Sequence, residues 1–205
     1  LVNRLLMQVD YFKVEPLILV SKCDLSDEKD FLKIKNYYEP LGYRVFGSSL
    51  NNELNETLLN YLKDKIVVLC GQSGVGKSSF INRLCPDLNL KTQGISYALN
   101  RGKHTTRFNR LYHYHDTYID DSPGFSSLDL NGIDETLLAD RIKAFAPYLN
   151  KCRFIDCRHL KEPYCAIKEA VQNNLIPSSF YETYTHLMDF LKNENYYGNR
   201  HRTLK

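Results

Sequence analysis

The sequence lacks any apolar segment approaching the roughly 20 residues that a membrane-spanning helix needs. Its first residues show no signal-peptide pattern either. We therefore expect a cytoplasmic protein that makes no membrane contact. The first residue is Leu1 rather than methionine, and it lies in a segment of helical spacing. This predicts that the chain is a fragment of a longer protein.

The sequence also lacks a strong excess of either charge, since 27 Lys and Arg residues oppose 24 Asp and Glu residues for a net charge of +3. A polycationic field over the whole surface is thereby excluded. Basic residues concentrate in two segments instead. The first contains Arg101, Lys103, His104, Arg107 and Arg110, and the second contains Lys192, Arg200, His201, Arg202 and Lys205. Such clusters are either solvated surface or contacts to nucleic-acid phosphates, and charge alone leaves both open.

The six cysteines do not show the dispersed spacing of a disulfide framework. Instead Cys152, Cys157 and Cys165 crowd around His159, which indicates a reducing compartment and a metal. Three thiolates and an imidazole form a complete tetrahedral set for one structural zinc per chain, with no open position for catalysis. The alternative is four unrelated reduced side chains. The segment is too small for a core of its own, so we expect zinc to hold it together.

A chain of 205 residues suffices for one α/β domain and a small appendage. Apolar runs and helical spacing alternate, with strands predicted at 16–20, 43–46, 66–70, 108–114 and 117–120 and helices at 27–38, 53–62 and 134–146. The strands at 16–20 and 66–70 read as buried, and Pro147 is expected to end the helix before it. Residues 86–107 have weak periodicity and predict a loop. Two helices follow, near 165–172 and 178–192.

This alternation predicts a mainly parallel sheet with helices on both faces, in which ligands bind at the carboxyl ends of the strands. We predict two domains, an α/β domain over residues 1–148 and a helical, zinc-binding domain over residues 149–205.

A phosphate-binding loop follows the third predicted strand. The segment GQSGVGKS (71–78) fits the P-loop pattern GxxxxGK(S/T), with a helix after it. Its backbone N–H groups would donate to phosphates, Lys77 would contact the β- and γ-phosphates, and Ser78 would bind Mg²⁺. The predicted nucleotide contacts are Gly71, Gln72, Ser73, Gly74, Val75, Gly76, Lys77, Ser78 and Ser79.

The segment SKCD (21–24) resembles the guanine-recognition motif (N/T)KxD of GTPases. A carboxylate at Asp24 would accept from both N1–H and the 2-amino group of guanine, a pattern that adenine lacks. Lys22 would lie along the base, and Ser21 keeps a hydroxyl in place of the usual Asn or Thr, from which we expect weaker tethering. Ser48 and Ser49, after the next strand, resemble the loop whose backbone reads the guanine O6 atom.

The magnesium and switch elements come after the P-loop, whereas the base motifs precede it. DSPG (121–124) matches DxxG, so Asp121 would hold Mg²⁺ through water and the Gly124 N–H would meet the γ-phosphate. The segment GKHTTR (102–107) looks like the first switch, where a threonine closes over Mg²⁺. We assign Thr106 both to Mg²⁺ binding and, with Lys77 and His104, to catalysis. Thr105 is assigned to nucleotide binding, although either threonine fits the magnesium role.

The motif order and the phrases GQSGVGKSS, GKHTTR and DSPGF resemble the RsgA (YjeQ) family of circularly permuted GTPases. The cysteine spacing, with Glu162-Pro163 before Cys165, is similar to the zinc knuckle of that family. The resemblance implies action in late maturation of the small ribosomal subunit, with binding to its rRNA, and a turnover that the ribosome accelerates. It also implies an N-terminal OB-fold domain, which we expect to be absent from this chain. We expect a monomer.

Phe125 stands where Ras-like enzymes carry a Gln that orients the attacking water. His104 in the switch is our candidate for that role, with an unremarkable surface histidine as the alternative. Three other functions stay open. They are an ATP-using P-loop enzyme, a permuted GTPase acting on another ribosomal target, and a hydrolytically weak RNA-binding module that uses GTP only as a structural ligand.

Overall fold

The structure is a computed structural model that describes residues 1–49, 53–72, 74–86, 110–121, 130 and 132–202. The side chains of 110, 121 and 194–202 are outside this description. The helices are α1 Val2–Tyr11, α2 Glu28–Tyr38, α3 Glu56–Leu62, α4 Lys77–Leu84, α5 Leu138–Arg141, α6 Ala166–Gln172 and α7 Ser178–Arg202. The strands are β1 Leu17–Val20, β2 Arg44–Gly47, β3 Ile66–Val68, β4 Arg110–Tyr114 and β5 Thr117–Asp121. No helix in this part of the chain is long and apolar enough to cross a membrane.

The strands form two sheets in the described residues, where the sequence predicted one. The first pairs β1 with β2, and the second has the order β3-β5-β4. β3 runs parallel to β5, whereas β4 and β5 are antiparallel because only the turn at His115 and Asp116 joins them. The α/β class and a parallel strand pair are therefore as predicted, and the hairpin adds an antiparallel pair.

The burial predicted for two strands is wrong. Every residue of β1 is half-buried, and in β3 the side chains of Ile66 and Val68 are 74% and 46% exposed. An apolar run alone does not say which face of a strand is covered, and Ile66 and Val68, two residues apart, lie on the same face of β3. Helix α3 begins at Glu56, three residues later than predicted, because Asn55 caps it by accepting from the backbone N–H groups of Thr57 and Leu58.

The chain divides into two compact units. One comprises Leu1–Ile18, Leu32–Val45 and Leu128–Lys205, and the other comprises Leu19–Phe31 and Phe46–Ser127. The core of the first unit joins the two ends of the chain, since Leu6 and Met7 of α1 belong to the same buried cluster as Phe180 and Tyr184 of α7. The helices after residue 165 are thus packed on a shared core. The domain boundary after residue 148 stays a prediction.

The helix predicted over 134–146 is broken in the structure. α5 ends at Arg141, Ile142 is extended (φ −69°, ψ 117°), and a 3₁₀ helix runs over Lys143–Tyr148 with Pro147 inside it. The reason lies on α1, where the buried Asp10 carboxylate accepts the Lys143 backbone N–H at 2.9 Å and draws it out of the helical pattern. Pro147 is therefore not the stop that the sequence suggested.

The carboxylate of Asp10 is the polar centre of this core. It also accepts the hydroxyl of the fully buried Tyr43 at 2.6 Å. Burial raises the pKa of Asp10, and the hydrogen bonds from Tyr43 and Lys143 offset part of that rise.

We predict that Tyr43→Phe lowers the free energy of unfolding by about 1–3 kcal/mol, because it leaves a buried carboxylate short of a donor. A raised pKa in the folded state means that Asp10 gains a proton as the pH falls through that pKa, so the loss should shrink in acid. Urea unfolding followed by circular dichroism at several pH values measures it. Tyr38→Phe is the matched control, since the half-buried Tyr38 donates to the neutral amide oxygen of Asn3 at 2.9 Å. An equal loss in the two variants would contradict the prediction.

Candidate functional site

The P-loop segment lies between β3 and α4, where the sequence predicted it. Gly74 and Gly76 have the left-handed φ values of 78° and 101°, which favour glycine, and Gly76 caps the N-terminus of α4. The ammonium group of Lys77 donates to the carbonyl oxygens of Gly71 at 2.7 Å and Gln72 at 2.9 Å. The lysine therefore lies back across the loop, at the helix end that attracts anions.

The guanine-type segment contacts this loop. The Ser21 hydroxyl donates to the Val75 carbonyl at 2.6 Å, and the Lys22 ammonium donates to the Gly74 carbonyl at 3.0 Å. Lys22 has left-handed backbone angles (φ 60°, ψ 34°), which cost about 1–2 kcal/mol in a residue with a Cβ. Both hydrogen bonds help to offset that cost. Serine at position 21 thus keeps the tether, and its strength relative to Asn or Thr stays a prediction.

The second base-type loop is tied to the first. The Ser48 N–H donates to the Val20 carbonyl at 2.8 Å, and the Cys23 N–H donates to the Ser48 carbonyl at 3.1 Å. The loops approach so closely that a Cβ on Gly47 would lie 3.3 Å from the Cys23 sulfur. Asp24 is exposed beside them, within the 3₁₀ turn Cys23–Leu25, and Ser49 is buried.

The four predicted zinc ligands also come together. The ligand atoms of Cys152, Cys157, His159 and Cys165 all lie within 4.8 Å of one another. The Cys152 and Cys165 sulfurs are 3.9 Å apart, and His159 Nδ1 lies 3.5 and 3.4 Å from them. A tetrahedral zinc with bonds of about 2.3 Å to sulfur and about 2.0 Å to nitrogen would need separations of about 3.8 and 3.5 Å. The cluster can therefore hold zinc.

The protonation chemistry of the cluster suits a cation. Burial lowers the pKa of His159 by more than the charges of Glu162 and Asp140 raise it. The lowered pKa keeps the imidazole neutral and able to bind metal. Burial raises the pKa of the Cys157 thiol to about 12 and also raises that of Cys165. The thiolates a metal requires are thus unfavourable here until a cation compensates them.

The comparisons with known proteins bear on both sites. A profile described as RsgA GTPase matches residues 1–131, which is more than half of the chain. The chain belongs to the RsgA GTPase family.

Curated relatives in the RsgA GTPase family cover nearly the whole chain. The small ribosomal subunit biogenesis GTPase RsgA of Geobacillus sp. (strain WCH70) is 41% identical over 94% of the chain and 67% of its own length. RsgA 2 of Oceanobacillus iheyensis is 42% identical over 92% of the chain and 66% of its own length. The chain thus spans about two thirds of the length of these relatives.

Solved structures agree with the RsgA identification. YloQ, a circularly permuted GTPase, is 30% identical, with a TM-score of 0.73 over 95% of this chain and 63% of its own. YjeQ from Thermotoga maritima is 33% identical, with a TM-score of 0.73 over 93% of this chain and 64% of its own. The predicted family and the circularly permuted α/β fold are confirmed.

Several RsgA-type residues predicted from the sequence lie outside the described part of the chain. They are Ser73, His104, Thr105, Thr106, Gly124 and Phe125, and with them the predicted loop and most of the first basic cluster. Asp121 ends β5, and its side chain is likewise outside the description. Ser78 and Ser79 are half-buried in the first turn of α4. The roles given to all these residues stay predictions.

Glu162 belongs to the zinc-knuckle resemblance, but the sequence did not reveal how neighbouring residues support the candidate metal site. The Glu162 carboxylate accepts the backbone N–H groups of Arg158 at 3.0 Å and Leu160 at 2.8 Å. Burial acts to raise the pKa of Glu162, but surrounding backbone N–H groups outweigh it and leave that pKa lowered. Two hydroxyls on α7, of Tyr181 and Tyr184, donate to the carbonyls of His159 and Arg158, each at 2.7 Å. Their spacing of three residues on one helix was the available signal.

Proposed function

We propose that this chain binds GTP, hydrolyses it to GDP and phosphate, and acts through that cycle in the maturation of the small ribosomal subunit. One observation carries the nucleotide part. Ser21 and Lys22, which precede the P-loop by about fifty residues, hydrogen-bond to the carbonyls of Val75 and Gly74 within it. A single nucleotide would therefore have its base at Asp24 and its phosphates at the P-loop.

The phosphate end has the means to hold a polyanion. The N-terminus of α4 faces the loop, and the Lys77 ammonium group donates hydrogen bonds to two carbonyls of the loop. In the proposed complex it exchanges those carbonyls for β- and γ-phosphate oxygens, where it stabilises charge that develops during transfer. Mg²⁺, bound with GTP through Ser78, Asp121 and Thr106, would supply further positive charge at the same phosphates. His104 is proposed to orient water.

One structural zinc per chain is proposed at the cluster of Cys152, Cys157, His159 and Cys165. The donor set and the separations of the ligand atoms fit a tetrahedral ion with four protein ligands. Its place is therefore structural, and it takes no part in hydrolysis.

The ribosomal part of the proposal is supported by the relatives, which are named small ribosomal subunit biogenesis GTPases. The rRNA contacts are proposed to come from the basic segments around residues 101–110 and 192–205. A cytoplasmic location and a monomeric state go with this function. Phosphate release with and without purified small subunits tests it. Turnover that stays at the buffer level in both conditions would favour the GTP-dependent RNA-binding module instead.

Guanine specificity should depend on Asp24. We predict that Asp24→Asn weakens GDP binding by at least about 100-fold, because an amide faces two guanine donors with only one acceptor. The same amide can donate to a carbonyl, so affinity for xanthosine diphosphate, which has oxygen at C2, should rise. Displacement of a fluorescent GDP measures both.

Asp27→Asn is the matched control for this variant. It makes the same change three residues further on, at another exposed position. Unaltered GDP affinity in the Asp24 variant would show that the base-site assignment is wrong.

A further inference from the structure

Arg83 connects the two ends of the proposed nucleotide site. It lies in the last turn of α4, six residues after Lys77, which is about 9 Å along the helix. Its guanidinium Nη1 donates to the Ser48 hydroxyl at 3.2 Å and to the Ser49 carbonyl at 2.5 Å. Helix α4 therefore begins at the P-loop, and its last turn contacts the loop that follows β2.

The loop held by Arg83 is the one assigned to the guanine O6 atom. Its first residue, Ser48, is fixed by backbone pairing with Val20 and Cys23. The next residue, Ser49, is buried, and its carbonyl accepts from Arg83. A charge-assisted hydrogen bond to a buried carbonyl is among the stronger ones in proteins, and it fixes the direction of the peptide group that bears it.

We propose that Arg83 is a positioning residue for guanine recognition. It acts by fixing the Ser48–Ser49 loop so that the Ser49 backbone N–H faces a carbonyl at C6 of the base and rejects an amino group there, since the Ser48 N–H is already paired with Val20. Its distance along α4 from Lys77 keeps it away from the phosphates, so its effect falls on base choice and not on hydrolysis. The proposal rests on the proposed GTP site.

The test compares three diphosphates whose bases differ at C2 (GDP and IDP), at C6 (IDP and ADP) or at both positions (GDP and ADP). GDP and IDP share the C6 carbonyl, whereas IDP lacks the 2-amino group that Asp24 would accept. ADP carries an amino group at C6. The GDP-to-ADP preference thus reports the loop together with Asp24, and the GDP-to-IDP preference reports Asp24 without the loop.

Arg83→Met keeps a long side chain and removes both hydrogen bonds. We expect its GDP-to-ADP preference to fall about tenfold, as for the loss of one well-made hydrogen bond, while its GDP-to-IDP preference changes by less than about twofold. Its KM for GTP should rise with kcat unchanged. Arg83→Lys keeps the charge and a donor and should recover part of the lost preference. Lys63→Met, at an exposed position in the same unit, should match the parent.

The outcomes separate the two hypotheses. A parent chain that binds ADP as well as GDP would overturn the proposed function itself. A parent that prefers GDP, with Arg83→Met retaining the full GDP-to-ADP preference, would overturn the role of Arg83 alone. Equal weakening of all three diphosphates would show a merely structural arginine and would also overturn it. If Arg83→Met does not fold, Arg83→Lys and Ser48→Ala replace it in the test. An unchanged GDP-to-ADP preference and an unchanged KM for GTP in both of these variants would contradict the proposal.

Discussion

Replacing Cys157 with serine should abolish stoichiometric zinc binding and destabilise the first compact unit. Apparent binding free energies of structural zinc sites are about 10 kcal/mol or more at neutral pH, and binding to the unfolded chain offsets part of that. Without metal, three sulfurs and an imidazole lie crowded together, and hydrogen bonds such as those of His159 Nδ1 with the Cys152 and Cys165 sulfurs replace the much stronger metal bonds. Burial raises the pKa of the Cys157 and Cys165 thiols, so loss of the cation also disfavours their thiolate forms.

The structure limits how far this damage should spread. The sequence suggested that zinc alone holds the C-terminal segment together, but Phe180 and Tyr184 of α7 are fully buried in the core that α1 shares. We therefore expect the loop between Cys152 and Cys165 to loosen first, with α7 losing only the hydroxyl contacts to that loop. The proposed nucleotide site lies in the other unit and should keep its GDP affinity.

Elemental analysis of reductively purified protein should find about one zinc per chain in the parent and none in Cys157→Ser. Thermal unfolding with and without a chelator measures the stability lost. Cys85→Ser is the matched control, because Cys85 is a half-buried cysteine that lies outside the cluster, in the other compact unit. Metal-free parent protein, or full zinc content in the Cys157 variant, would contradict the prediction.

The sequence predicted the parts of the site in which chemistry depends on local spacing. A P-loop is eight consecutive residues, so its glycines and Lys77 follow from the pattern once a strand precedes and a helix follows. The four candidate zinc ligands lie within fourteen residues, and their proximity in the chain already restricts them to one place. In both cases the structure adds distances to an arrangement that short segments determine.

Contacts between distant segments were beyond the sequence. Nothing near Ile142 announces that a carboxylate on α1 will take the Lys143 N–H and break the helix, since Asp10 is 133 positions away. Arg83 likewise looks like an ordinary basic residue in the last turn of a helix until Ser48 and Ser49 are placed beside it. Such tethers depend on tertiary packing, which periodicity does not encode.

Replacing Lys77 with alanine should reduce GTP turnover by at least about 100- to 1,000-fold, the cost of losing one fixed positive donor at developing phosphate charge. The loop itself should survive, because its glycine conformations and the tethers from Ser21 and Lys22 do not involve the Lys77 side chain. Single-turnover phosphate release, with fluorescent-GDP binding to confirm an intact base site, separates the two effects. Lys63→Met is the control, since Lys63 is exposed and pairs with Asp116 at 3.6 Å. Undiminished turnover in Lys77→Ala would place the hydrolysis at a different site.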